Sequence, residues 1–266
     1  MKESGTARII PEFEERTGRD RWHLPPAEGN PIPRSLRTHG DGGRSVDAMN
    51  SAKQHVFLTG GTGYVGSRLI ERLLTRGHQV RALVRPQSQG KLPAGCHVVT
   101  GNALDANSYR ESIKPATTFV QLVGVAHPSP AKAAEFRSVD LVAGREAVAV
   151  AMSAEIEHFV YVSVAHPAPM MKAYIAVREE CEALIRQSGM NTTILRPWYI
   201  LGPSHRWPYA LLPAYWLLER LPATREGARR LGLVTLEQML RALIHAVESP
   251  AMGVRLMSVP EIREAA

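Results

Sequence analysis

The feature that most constrains this chain is a set of three glycines, at positions 60, 63 and 66, between an apolar run and an amphipathic one. The apolar residues 55–59 predict a strand, and residues 64–76 predict a helix. Gly60 permits a tight turn, Gly63 removes a side chain where the backbone approaches a phosphate, and Gly66 lets helix and strand pack closely. This order predicts a dinucleotide site, because N–H groups of the first helical turn lack partners and can bind a pyrophosphate.

Strands and helices are predicted to alternate from residue 55 onward, which is typical of a parallel sheet covered on both faces. We therefore predict an α/β fold, a Rossmann-type doubly wound parallel sheet with a small C-terminal substrate lobe. The predicted strands are 55–59, 79–84, 96–100, 118–124, 158–163, 192–196 and 253–259, and the predicted helices are 64–76, 106–112, 131–153, 172–188 and 235–248.

Residues 1–50 differ from the rest of the chain, because they show no sustained apolar periodicity and contain several prolines. Such a segment buries too little to offset its ordering entropy, so we expect a mostly disordered tail. Met49 stands shortly before the first strand, and we hypothesise that it is the natural start.

Residues 51–266 are expected to form one nucleotide-binding domain, with 198–252 supplying most of the substrate lobe. The aromatic segment 207–218 is interpreted as core and lid, with a partner or membrane contact as the alternative.

Composition excludes several classes of protein. The formal charge is +7, but the basic residues are spread singly without an interleaved aromatic platform, so we expect no nucleic-acid partner. Cys96 and Cys181 give neither a metal-binding spacing nor a disulfide framework. No stretch of about 18 apolar residues occurs, so no stable membrane span is expected. The sequence favours a cytoplasmic protein with a small-molecule substrate and no metal.

The end of the second predicted strand bears on the choice of nucleotide. An NAD site usually has an acid about 20 residues past the glycines, to bind the ribose 2′-hydroxyl. This chain has no Asp or Glu between Glu71 and Asp105, and the strand ends at Arg85. A guanidinium there can pair with a 2′-phosphate, so NADP(H) is favoured over NAD(H). The alternative is that Arg85 is a solvated strand end.

Several further motifs extend this pattern over residues 54–259. With them the chain resembles the short-chain dehydrogenase/reductase superfamily, in particular its extended and atypical branches, which include NAD-dependent epimerase/dehydratase-like, NmrA-like and complex I accessory subunit-like proteins. The resemblance depends on Thr59-Gly60-Gly61-Thr62-Gly63-Tyr64-Val65-Gly66, Gly101-Asn102-Ala103-Leu104-Asp105, Gln121-Leu122-Val123-Gly124, Tyr161-Val162-Ser163, Tyr174-Ile175-Ala176-Val177-Arg178 and Ile194-Leu195-Arg196-Pro197 before Gly202.

The resemblance implies a set of cofactor-binding residues. The glycine turn would hold the pyrophosphate, and the later motifs would border the adenine, the central ribose and the nicotinamide in that order. These residues are Gly60, Thr62, Gly63, Tyr64, Val65 and Gly66 at the turn, Asn102 and Ala103 at the adenine, Leu122, Val123 and Gly124 at the central ribose and phosphates, and Pro197 to Ile200 at the nicotinamide.

The resemblance also implies three catalytic residues. Tyr174 would be the general acid or base, Arg178 would hold the nicotinamide ribose, and Ser163 would orient the substrate. Arg178 stands where the family has lysine, and Val164 follows Ser163 where a second Ser or Thr is common. Two functions therefore stay open. One is an oxidoreductase or epimerase/dehydratase-like enzyme on a small, partly apolar substrate, and the other is a cofactor-holding regulator or assembly subunit. Monomer and homodimer are both open.

Overall fold

The structure is a computed structural model that describes residues 53–203, 218–222 and 224–265. The predicted tail 1–50, with Met49, and all but the last residue of the aromatic segment 207–218 lie outside the described residues. The extents predicted for the domain and for the lobe stay predictions.

Seven parallel strands form the central sheet, in the order β3-β2-β1-β4-β5-β6-β9. The order reverses between β1 and β4, and such a switch point is where parallel sheets bind ligands, at the carboxyl ends of the strands. The predicted doubly wound Rossmann-type fold is confirmed. The strands in the described residues are β1 (His55–Thr59), β2 (Gln79–Val84), β3 (His97–Thr100), β4 (Thr118–Gln121), β5 (His158–Val162), β6 (Thr192–Leu195), β7 (Tyr199–Leu201), β8 (Leu233–Thr235) and β9 (Val254–Met257).

Helices cover both faces of the sheet. One apolar layer joins residues of α1 and α6 to the sheet, and the other joins residues of α3 and α4. In the second layer the rings of Phe57, Phe119 and Phe159 lie on adjacent strands, with centroids 5.2 and 5.3 Å apart. The α-helices of the described residues are α1 (Gly66–Thr75), α2 (Ala133–Glu135), α3 (Val142–Ser153), α4 (Lys172–Gln187), α5 (Arg225–Arg230), α6 (Leu236–Glu248) and α7 (Val259–Glu264).

Two predicted helices differ from the structure. The helix predicted at 106–112 is two short 3₁₀ turns, Ala106–Ser108 and Arg110–Ser112. The helix predicted at 131–153 is a composite that begins with a 3₁₀ turn and α2, passes through a π-helical turn at Phe136–Leu141 and ends with α3. The π-helical turn is important for the site, because it contains the buried Asp140.

Four short elements beyond β6, namely β7, β8, α5 and α7, were not predicted. β7 and β8 form a separate two-stranded parallel sheet, and α5 and α7 are helices of six residues each. The predicted helix 235–248 is α6, whose side chains share an apolar layer with α1 and the central sheet. Within the described part of the chain, no helix has the length and apolar character that crossing a bilayer requires.

Candidate cofactor and active site

The glycine turn follows β1, and at Gly60 and Gly66 it leaves no room for a side chain. Gly60 has φ of 76°, and a Cβ there would lie 2.8 Å from the carbonyl carbon of Leu122. A Cβ at Gly66 would overlap the carbonyl oxygen of Gly60 and lie 3.0 Å from its carbonyl carbon. The turn is closed by the N–H of Gly63, which donates to the Gly60 carbonyl at 3.0 Å. Glycine is therefore a steric requirement at 60 and 66.

The N-terminus of α1 is suited to an anion. Val65 is the N-cap residue, no side chain caps the helix, and the first turn contains no acid. Arg68 donates to the carbonyl of Tyr64 at 2.8 Å, and its guanidinium lies 4.6 Å from the centroid of the Tyr64 ring. Thr62 is exposed on the turn. Because uncapped N–H groups and a nearby cation both favour negative charge, the turn fits a pyrophosphate.

Arg85 is the residue predicted from the sequence to recognise a 2′-phosphate. It follows β2 and is exposed, and its side chain forms no hydrogen bond or ion pair with the described residues. Arg81 differs, because it is half-buried and donates to the carbonyl of Ser112 at 3.2 Å. The N–H of Gly101 donates to the Val84 carbonyl at 3.0 Å, so the ends of β2 and β3 are adjacent.

The motif predicted to border the adenine continues from that junction. Asn102 is exposed, and its side-chain oxygen accepts a hydrogen bond from the N–H of Leu104 at 3.1 Å. Ala103, between them, is half-buried. The Asn102 side chain therefore supports its own loop, and its amide nitrogen has no hydrogen-bond partner among the described residues.

The end of β4 carries a polar group below the loop that begins at Leu122. Gln121 is buried and accepts a hydrogen bond from the Thr59 hydroxyl of β1. The Gln121 side-chain nitrogen is buried without a hydrogen-bond partner among the described residues. Leu122 and Val123 are half-buried, and Gly124 is exposed. A buried donor without a partner fits a site that a polar ligand or water completes.

Tyr174 and Arg178 lie side by side on α4, as their four-residue spacing predicts. Tyr174 is half-buried, its ring packs on Phe136 with centroids 4.9 Å apart, and the Arg178 guanidinium carbon lies 5.0 Å from its centroid. Arg178 itself is buried, with 5% of its surface exposed. Its guanidinium donates to Asp140 Oδ1 at 2.5 Å and to the Val162 carbonyl at 3.0 Å.

The charges of Arg178 and Asp140 depend on each other. Burial lowers the pKa of Arg178, but Tyr161, Tyr174 and Asp140 more than offset this effect, so the guanidinium stays protonated. Burial raises the pKa of the Asp140 carboxyl, and Arg178 counters part of that rise. Removing either partner would leave a charge in a desolvated site, which is strongly unfavourable.

Ser163 lies in a second buried polar cluster, around Glu182. The Ser163 hydroxyl donates to Glu182 Oε1 at 2.6 Å. Arg196 donates to both oxygens of the same carboxylate, at 2.5 and 2.9 Å, and Arg186 donates at 2.9 Å. Burial raises the pKa of Glu182, but the hydrogen bonds from Arg196 and Ser163 outweigh it and bring the pKa to about 2. The proton of Ser163 is therefore directed at a carboxylate.

The segment from Pro197 to Ile200 lies beyond the end of β6. Pro197 is buried, and its carbonyl accepts a hydrogen bond from the N–H of Ala165 at 2.9 Å, which ties the segment to the loop after β5. Ile200 is half-buried in β7 and pairs with Val234 of β8. Trp198 and Tyr199 meet edge to face, with centroids 6.1 Å apart. The segment thus forms an apolar wall beyond the end of β6.

Sequence reasoning missed Asp140 and Glu182. Glu182 follows Arg178 by four residues and Tyr174 by eight, so its position on the inward face of α4 was a usable signal. Asp140 gave no such signal, because its orientation depends on the π-helical turn.

A parallel sheet with a tight glycine turn at its switch point and an uncapped helix behind it defines a dinucleotide-binding protein of the Rossmann type. The comparison with protein families agrees with this class. The model of the NAD(P)H-binding family matches residues 60–209, and the chain belongs to that family.

Curated relatives include two reductases. The chain is 27% identical over 168 residues to a 4-hydroxy-2-methyl-3-oxo-4-farnesyl-3,4-dihydroquinoline-1-oxide ketoreductase of Stigmatella aurantiaca, which is 55% of this chain and 50% of that protein. It is 24% identical over 214 residues to a ceramide reductase of Caulobacter vibrioides, which is 80% of this chain and 66% of that protein. The chain thus spans about half to two thirds of these relatives.

Solved structures support the fold. The Bordetella bronchiseptica enzyme WbmH in complex with NAD⁺ has a TM-score of 0.59 and 22% identity, over 78% of this chain and 76% of that one. The UDP-glucose 4-epimerase of Thermus thermophilus in complex with NAD has a TM-score of 0.55 and 16% identity, over 79% of this chain and 80% of that one. At these identities the likeness concerns the fold.

Proposed function

We propose that the protein is an NADP(H)-dependent oxidoreductase that reduces a carbonyl group of a small, partly apolar substrate. The observation that carries the proposal is the placement of Tyr174 against the Arg178 guanidinium, on the helix that packs below the carboxyl ends of β4 and β5. Membership of the NAD(P)H-binding family and the two related reductases support the same class of reaction.

The cofactor, when bound, would supply the hydride. The residues that would hold it lie along the carboxyl ends of β1 to β6, and Arg85 would select the 2′-phosphate because its side chain has no partner among the described residues. The holding residues we assign are Gly60, Thr62, Gly63, Tyr64, Val65 and Gly66 for the pyrophosphate, Asn102 and Ala103 for the adenine, Leu122, Val123 and Gly124 for the central ribose and phosphates, and Pro197 to Ile200 for the nicotinamide.

Tyr174 would donate the proton that the substrate oxygen needs when a carbonyl becomes a hydroxyl. Phe136 packs on its ring and fixes the ring plane. The Arg178 charge, 5.0 Å from the ring centroid, would stabilise the negative charge that develops when the phenol loses its proton. Ser163, held by Glu182, would shape the floor of the substrate site.

The substrate is proposed to be partly apolar for two reasons. The wall formed by Trp198 and Ile200 is apolar and half-buried. The two reductases named above act, by their names, on a farnesylated quinoline oxide and on ceramide, and both compounds combine a polar head with a long apolar chain.

A second function, a regulator that holds the cofactor without turnover, is favoured by one specific observation. The Ser163 proton is directed at Glu182, and the Arg178 guanidinium is bonded to Asp140. The Ser163 hydroxyl and the Arg178 guanidinium are thus engaged with carboxylates of the protein, whereas the resemblance implies that they contact the substrate and the nicotinamide ribose.

Cofactor choice is tested by titrating NADPH and NADH against the wild type and Arg85→Asp. We expect NADPH affinity to fall by about tenfold or more while NADH affinity is retained, because a phosphate contact becomes a repulsion. Lys91→Asp is the matched control, since Lys91 is an exposed cation at the far end of the same 3₁₀ turn, Pro86–Lys91. An unchanged NADPH to NADH ratio in Arg85→Asp would contradict the assignment.

Turnover is tested by following NADPH absorbance with a panel of aldehydes, ketones and quinones. Loss of turnover in Tyr174→Phe, with NADPH binding retained, supports the oxidoreductase. Tyr109→Phe is the control, because it removes a buried phenolic hydroxyl on a ring that stacks on Phe57. Tight NADPH binding without oxidation by any compound of the panel supports the regulator.

A further inference from the structure

The loop that leaves β4 is tied to the protein by one buried ion pair. The N–H of Val125 donates to Asp140 Oδ2 at 3.0 Å, and Asp140 Oδ1 accepts from Arg178 Nη2 at 2.5 Å. Arg178 Nη1 donates to the Val162 carbonyl at 3.0 Å and to the Tyr161 hydroxyl at 3.2 Å. The pair therefore joins the loop, the π-helical turn, α4 and the end of β5.

Gly124 lies directly against this pair. A Cβ at Gly124 would overlap Arg178 Nη2 and lie 2.9 Å from Asp140 Oδ1. The backbone of the loop thus rests on the guanidinium and the carboxylate. Because Leu122 to Gly124 is the part of the loop assigned to the central ribose and phosphates, the position of the pair controls the position of that backbone.

We propose that Asp140 and Arg178 are positioning residues for cofactor binding, and that Arg178 acts through the loop at Gly124 and not as a ribose ligand. The planar guanidinium meets three acceptors at once, two on β5 and one on the π-helical turn, which a lysine ammonium cannot reproduce. The inference rests on the cofactor placement in the proposed function, and it is independent of turnover.

The test measures the NADPH dissociation constant by fluorescence for Asp140→Asn, Arg178→Gln and the double variant. The measuring temperature lies well below the midpoint of thermal unfolding of each protein. Each single change is expected to weaken binding by about tenfold or more, because the loop loses its support. The double variant is expected to bind no more weakly than the worse single variant, because both changes break the same connection.

Glu248→Gln controls for general destabilisation. Glu248 pairs with Arg76 and His78, away from the loop, so this variant should lower the unfolding midpoint and leave the NADPH dissociation constant unchanged. If Asp140→Asn and Arg178→Gln also lower the midpoint but leave binding within about twofold of wild type, the pair is merely structural and the proposal is overturned.

Two further variants decide the matter if those proteins fail to fold. Gly124→Ala keeps both charges and should weaken NADPH binding, since its methyl group displaces the loop or the guanidinium; binding equal to wild type would overturn the proposal. Arg178→Lys should also bind NADPH more weakly. Binding as tight as wild type or tighter would instead support a lysine-like contact with the ribose. These readouts need no substrate, so a failed turnover assay leaves them intact.

Discussion

The carboxylate of Glu182 gives the sharpest stability prediction. Its side chain is fully buried, and its pKa is about 2 in the folded protein against an ordinary value of 4.5. That difference corresponds to about 3 kcal/mol of folding stability. Because the folded-state pKa is the lower one, this contribution is fully present above about pH 4.5 and is lost as the pH falls toward about 2.

Glu182→Gln should therefore lower the free energy of unfolding by about 3 kcal/mol at pH 7. The substitution keeps the side-chain shape but leaves Arg196 without its anion. At pH 3 the wild type has already lost more than half of this contribution, so the gap between the two proteins should narrow to about 1.5 kcal/mol.

The assay is urea unfolding of both proteins at pH 7, 5 and 3, with the linear extrapolation applied at each pH. Glu180→Gln is the matched control, because Glu180 lies on the same helix, is 44% exposed, and approaches Arg137 and Arg145 at 3.9 and 3.8 Å. It should cost less than about 0.5 kcal/mol. A Glu182→Gln gap below about 1 kcal/mol at pH 7, or one that does not narrow in acid, would refute the reasoning.

Three other changes have defined outcomes. Gly66→Ala should weaken NADPH binding by about tenfold or more in a titration, because its methyl group overlaps the Gly60 carbonyl and opens the turn. Burial lowers the pKa of His158 from 6.5 to about 4. The free energy of unfolding of the wild type should therefore fall by up to about 3 kcal/mol as the pH drops from about 6.5 to about 4, because the unfolded state takes up a proton that the folded state does not. Urea midpoints measured over the same pH range should fall less in His158→Gln than in the wild type. Gly202→Ala should lower the unfolding midpoint, because a Cβ there overlaps the Tyr64 hydroxyl oxygen and lies 3.0 Å from Tyr64 Cζ. Adding Tyr64→Phe, which removes that hydroxyl, should restore part of the lost stability.

The parts of the fold that sequence predicted best are those with strong periodicity. β1, β2 and α4 were predicted within one residue of their observed bounds, since apolar runs and a helical pattern of buried positions define them. β7 and β8 have three residues each, which is too short for any period to be visible. The π-helical turn was likewise hidden, because its residues fit an ordinary helical pattern.

The candidate site divides in the same way. Local spacing placed Tyr174 beside Arg178, since residues four apart share a helix face. The partners of those residues come from distant segments, and Asp140 is 38 positions from Arg178. No sequence pattern within α4 could show that a carboxylate from another helical segment would form an ion pair with the Arg178 guanidinium.

Arg178 stands where the resemblance implies a lysine, and its surroundings fit a guanidinium in two respects. A guanidinium at this position needs an anion to remain buried, and Asp140 supplies it. It also needs space above it, and Gly124 supplies that by having no side chain. Exchanging Arg178 alone for lysine therefore leaves Asp140 partly unpaired below the loop that leaves β4. For this reason we expect the single exchange to weaken the site, even though it restores the family's residue at that position.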